Sequence, residues 1–94
     1  MERMPGPDYV RDREALSRLL DRWGVPADAY ELDLRPVRDD GRLVDDVVMI
    51  GPAGRKWAVW YRERGKEHNR REFDTESLAC LDLAMRLRRY RVGK

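Results

Sequence analysis

Leu16, Leu19, Leu20 and Trp23 recur at the three- and four-residue steps that place side chains on one narrow helical face, while Arg13, Arg18 and Arg22 point elsewhere. The pattern predicts a helix from about Val10 to Trp23, with Asp8 as its N-cap, Gly24 at its C-terminal turn and Pro26 preventing continuation. The period then changes to two. Tyr30, Leu32 and Leu34 alternate with Glu31, Asp33 and Arg35, as in a strand with one wet face, and Pro36 marks its end or an edge. Asp39-Asp40-Gly41 is a strong turn signal and predicts a hairpin returning through Leu43 to Ile50. Asp45 and Asp46 lie side by side in that return, so they face opposite sides of a regular strand.

Gly51 to Gly54 predicts the next turn, and Lys56 to Arg64 the most regular strand, with Trp57, Val59 and Tyr61 on one face and Ala58, Trp60 and Arg62 on the other. Gly65 and Lys66 turn the chain into Glu67 to Phe73, a polar strand suited to an edge. Asp74 or Thr75 caps a last helix reaching about Tyr90. Projected at 100° per residue, its polar strip holds Asp82, Arg86 and Arg89. Ala79, Cys80, Leu83, Ala84, Leu87 and Tyr90 lie opposite, and Leu78, Leu81 and Met85 widen the apolar side. That width fits a helix between a sheet and the first helix, and it also offers an edge for a homodimer. The expectation is one α+β domain over residues 9–92, a mainly antiparallel four-stranded meander with a helix at each end in the order α-β-β-β-β-α. Residues 1–8 read as a flexible lead and 93–94 as a flexible tail.

Composition narrows the chemistry. Of 94 residues, 41% are apolar and 40% charged, enough for one modest core under a strongly charged surface. One Cys and one His exclude an internal disulfide and a sulfur- and imidazole-based zinc set. Unbroken apolar runs such as Val47 to Ile50 are far short of the roughly 20 residues that cross a bilayer. No signal-peptide pattern is present, so a cytoplasmic protein with no membrane partner is expected. The net charge of +2 conceals −4 in residues 1–50 and +6 in residues 51–94, which predicts surface patches of opposite sign.

Catalytic constellations are sparse. His68 has no local partner that specifies acid-base chemistry, Cys80 lies on an apolar helix face, and the Gly51-Pro52-Ala53-Gly54-Arg55-Lys56 stretch lacks phosphate-loop spacing. No cofactor, metal or enzymatic activity is expected. Asp39, Asp40, Asp45 and Asp46, with Trp60 and Arg62, form the candidate protein interface, because an acidic patch with an aromatic anchor can occupy a basic partner. The alternative is a nucleic-acid interface built from Trp60, Arg62, Arg64, Lys66, Arg70 and Arg71, in which guanidiniums neutralise phosphate and the indole stacks on a base.

The stretch from Trp57 through Ala58, Val59, Trp60, Tyr61, Arg62, Glu63, Arg64 and Gly65, followed by Arg71 to Cys80, resembles the closing part of small bacterial immunity-like proteins associated with polymorphic toxins. In that pattern an aromatic strand ending Tyr-x-Glu-Arg-Gly leads to a Phe-(Asp/Thr)-x-Glu segment and a helix containing Ala-Cys. The chain departs from it at Trp60, where a second tyrosine would fit better. The resemblance implies a stoichiometric inhibitor whose cognate partner is a toxin domain, and it assigns no inhibitory residues.

Overall fold

The computed structural model describes residues 10–92. Helix α1 spans Arg13–Trp23 and starts at Asp12, whose side chain accepts the Ala15 amide; Gly24, in the left-handed region at φ 76°, closes it. Asp8, the expected N-cap, lies outside the described residues. A single 3-10 turn at Ala27–Ala29 leads into β1, Tyr30–Glu31. Strands β2 (Val47–Ala53), β3 (Lys56–Glu63) and β4 (Lys66–Phe73) follow, then α2 (Glu76–Arg86) and the short α3 (Arg88–Val92). The expected last helix therefore breaks at Leu87, which takes a non-helical backbone conformation while its side chain enters the core.

The sheet order is β1-β2-β3-β4, and the sheet is mixed. β2, β3 and β4 form the expected antiparallel hairpins, but β1 runs parallel to β2 through Tyr30↔Val48 and Glu31↔Met49. The expected mainly antiparallel meander is corrected at its first connection, which is a crossover and not a sheet hairpin, for three local reasons. The Glu31 carboxylate takes the amides of Asp33 and Arg35 at 2.9 and 3.2 Å, groups an extended strand would offer to a neighbour. Leu34 adopts φ 59°, a left-handed turn that ends the pleat, and Pro36 has no amide to give. The Asp39-Asp40-Gly41 turn does form, closing a small hairpin by a bridge between Val37 and Leu43, with Gly41 at φ 89°. That hairpin stands apart from the sheet and belongs to a crossover arm, residues 32–46, that carries the chain from the end of β1 to the start of β2.

The remaining turns shift slightly from expectation. Pro52 lies within β2, tolerated because the two-residue β1 leaves that end of β2 without a neighbour on one side. Arg64 and Gly65, at φ 53° and 74°, make the tight β3–β4 turn. Asn69, at φ 55°, bulges opposite Trp60.

Two apolar layers flank the sheet. On one face Val48, Ile50 and Val59 meet Leu16, Leu19 and Leu20 of α1 and Ala79, Cys80, Leu83 and Ala84 of α2. Helix α2 lies on β2, β3 and β4 and also against α1, the sandwiched position its broad apolar surface predicts. Arg13 ties the helix starts together: its amide and Nε donate to Glu76 at 3.0 and 3.1 Å, and its guanidinium lies 5.0 Å over Trp57. On the other face Val47, Met49, Ala58 and Trp60 pack with Val44 of the arm. Leu34 also reaches this face, so close to Gly51 that an added Cβ would meet its Cδ1 at 2.8 Å. The alternation that puts an indole on each face of β3 is thereby explained: helices cover Trp57 and the arm covers Trp60. No helix among the described residues is long and apolar enough to cross a membrane.

Candidate protein interface

The expected acidic patch is divided by the fold. Asp45 turns toward the β3–β4 hairpin tip, accepting the amides of Arg64 and Gly65 at 2.9 and 3.2 Å, with Arg62 Nε at 3.8 Å. Those amide bonds, Gly65 foremost, hold its carboxyl below the usual range despite some loss of hydration. Burial, with the nearby Asp46 carboxylate as the next cause, pushes the Tyr61 phenol up and keeps it protonated beside Asp46. Asp45 and Asp46 therefore fasten the arm to β3 and the hairpin tip. Asp39 and Asp40 sit apart at the arm's own tip. Asp40 accepts from the Arg42 amide and guanidinium at 3.1 and 2.8 Å, which lowers its carboxyl, and Asp39 stands exposed with Arg35 at 3.5 Å.

Trp60 is 8% exposed and lies under the Arg70 guanidinium, 5.4 Å from the ring centroid. Its indole N–H is buried without a hydrogen-bond partner. Arg70 itself holds Glu67 and Glu72, each at 3.2 Å, and Arg71 pairs with Asp82 at 3.7 Å. Of the basic residues expected to meet phosphate, Arg62, Arg70 and Arg71 thus have carboxylate partners, while Arg64 and Lys66 extend from the hairpin tip. A base stacking on Trp60 would first have to displace Arg70.

The features sequence reasoning missed lie on the arm and beside it. Leu34, Val37 and Leu43 are 41%, 42% and 76% exposed, three of the four large apolar side chains so exposed among the described residues. Val37 and Leu43 are direct cross-strand partners, so their side chains share a face of the small hairpin. The signal was present in the alternation around Asp39-Asp40-Gly41, but it was assigned to a sheet face. Leu43 also forms one wall of a cleft of about 400 Å³ whose floor includes Val48, Tyr61, Leu87 and Tyr90, with Arg38, Arg42 and Arg89 at its rim.

Glu31 anchors this arm. It is 2% exposed, the only buried charged residue among those described, and both its oxygens meet the Arg35 guanidinium at 3.3 Å. Burial alone would raise its carboxyl, but Arg35 and the two amides outweigh that loss of hydration and hold it below the ordinary value.

Elsewhere the chemistry-bearing residues are unremarkable. His68 is exposed on β4. Burial pushes the Cys80 thiol up to about 12, the opposite of an activated nucleophile. Among the described residues no group of three or more His, Cys, Asp or Glu is placed to hold a metal ion. The Leu78-Leu81-Met85 strip is half-buried except at Leu78, which is 37% exposed. No known protein family, curated protein or solved structure matches this chain.

Proposed function

We propose that the protein is a non-catalytic interaction module that binds one partner protein through its crossover arm. The observation that carries this reading is the concentration of exposed apolar side chains, Leu34, Val37 and Leu43, on one fifteen-residue connection. Such side chains cost solubility when left in water and contribute when covered, at roughly 25 cal/mol per Å². The arm is also firmly mounted: Glu31 and Arg35 fix its start, Leu34 packs on Gly51, and Asp45 and Asp46 fasten its end to the hairpin tip and Tyr61. A mounted apolar patch loses less conformational freedom on binding than a loose loop does. Asp39, Asp40, Arg38 and Arg42 supply the polar rim expected around an interface core.

The resemblance to immunity-like proteins supports a toxin domain as the partner and one-to-one occupation as the mode of action. A partner captured at physiological salt after nuclease treatment should be retained by the wild-type chain in a fixed ratio. A Val37→Asp, Leu43→Asp double variant, with unchanged circular dichroism, should lose it. Retention by that folded variant refutes the arm as the interface, and capture that vanishes on nuclease treatment would favour nucleic acid instead.

A further inference from the structure

Next to the cleft walled by Leu43 lies a second one, of about 580 Å³, lined by Val48, Tyr61, Asn69, Arg71, Asp82, Arg86 and Arg89 among others. The two share Val48, Tyr61 and Arg89 and form one groove from the arm to the bulge of β4. Their charges differ. The first half balances Arg38, Arg42 and Arg89 against Asp28, Asp45 and Asp46. The second is lined by four guanidiniums, Arg70, Arg71, Arg86 and Arg89, and one carboxylate, Asp82; with Arg70 already paired to Glu67 and Glu72, the other three leave an excess of two positive charges.

That excess is arranged rather than scattered. Arg86 is 19% exposed, held through Nε to Asp82 at 2.9 Å and through Nη2 to the Asn69 carbonyl at 2.7 Å. Asp82, 15% exposed, serves both Arg86 and Arg71 and so leaves positive charge uncompensated. Arg89 has no carboxylate partner among the described residues; it stacks on Tyr90 at 4.9 Å and reaches the Arg86 carbonyl at 3.4 Å. The polar strip of the last helix is thus a groove wall rather than a solvent face. Guanidiniums held in fixed orientation pair with carboxylates in a two-point fork, which a hydrated lysine does not do.

We infer that this groove receives an acidic segment of the partner protein, an apolar side chain lying between Leu43 and Tyr90 and a neighbouring carboxylate meeting Arg86 and Arg89. The inference rests on the protein-binding reading above and specifies its partner chemistry. The apolar half favours a peptide over a polynucleotide, because Leu43, Val48 and Leu87 can cover an aliphatic side chain but give a phosphodiester nothing to pair with.

The test is nuclear magnetic resonance of the isotope-labelled full chain at physiological salt, titrated to millimolar levels with an end-blocked Glu-Leu-Glu tripeptide. Its Gln-Leu-Gln counterpart and a ten-nucleotide thymidine strand serve as comparisons. The acidic peptide should shift the Arg89 side-chain signal and the Val48 and Tyr61 amides saturably, with the glutamine peptide roughly tenfold weaker. Arg89→Glu should abolish the response, and Arg89→Lys should restore only part of it. Equal response to the glutamine peptide, no response at Tyr61, or tighter binding of the thymidine strand would overturn the inference. With the captured partner, sensitivity to Val37→Asp, Leu43→Asp but not to Arg89→Glu overturns this inference alone. Insensitivity to both overturns the interaction reading with it.

Discussion

Replacing Glu31 tests how the arm is built. Its carboxylate is almost wholly buried and satisfies two backbone amides and a guanidinium, at distances of 2.9 to 3.3 Å. Removing one side of a buried charged pair costs about 3–5 kcal/mol, and hydrogen bonds to charged groups contribute about 1.5–3 kcal/mol each. Arg35 is half-exposed and rehydrates when its partner is lost, and alanine also relieves the cost of burying the charge, so the low end of that range applies. Glu31→Ala should therefore lose about 3 kcal/mol in urea unfolding, or about 12–24 °C in Tm for a domain of this size. Glu31→Gln, which keeps one acceptor oxygen, should lose roughly half as much. The pH dependence has a definite sign. Because the folded carboxyl lies below its ordinary value of 4.5, its contribution is complete above that value and fades as pH falls through the folded value. Glutamine does not titrate, so the gap between wild type and Glu31→Gln should narrow as pH falls below 4.5. A loss under about 1 kcal/mol for Glu31→Ala at pH 7, or a gap that widens in acid, would refute the anchoring role.

Three further outcomes follow from the two apolar layers. Trp60→Phe discards an indole N–H that has no partner, so its urea stability should stay within about 1 kcal/mol of wild type, whereas Trp60→Ala should lose about 3–5 kcal/mol; equal losses would contradict the orphan donor. Leu83→Ala, at a fully buried position between α2 and the sheet, should lose about 2–5 kcal/mol in the same assay. Cys80, with its thiol pushed up to about 12, should resist iodoacetamide at pH 8 in the native protein and react only as urea unfolds it.

The legible parts of the fold were those with a period. Leu16, Leu19, Leu20 and the Ala79 to Leu87 face announced their helices, and the 57–61 alternation announced β3 with an indole on each face. The crossover was not legible because its local signals are those of an ordinary hairpin: alternating residues, an Asp-Asp-Gly turn, and a return strand. What redirects the chain is Glu31 capturing nearby amides, a tertiary choice that alternation cannot reveal. The four acidic residues are neighbours in sequence, but the fold separates them: Asp45 turns to the β3–β4 tip, away from Asp39 and Asp40. Arg71, Arg86 and Arg89 lie on different elements, so only packing of α2 and α3 beside β4 makes them one wall.

The arm as interface is tested most directly by mass photometry of the wild-type chain and its captured partner, repeated with the folded Val37→Asp, Leu43→Asp variant. The account predicts a one-to-one complex that the double variant cannot form. A complex of unchanged affinity and stoichiometry with that variant would contradict it.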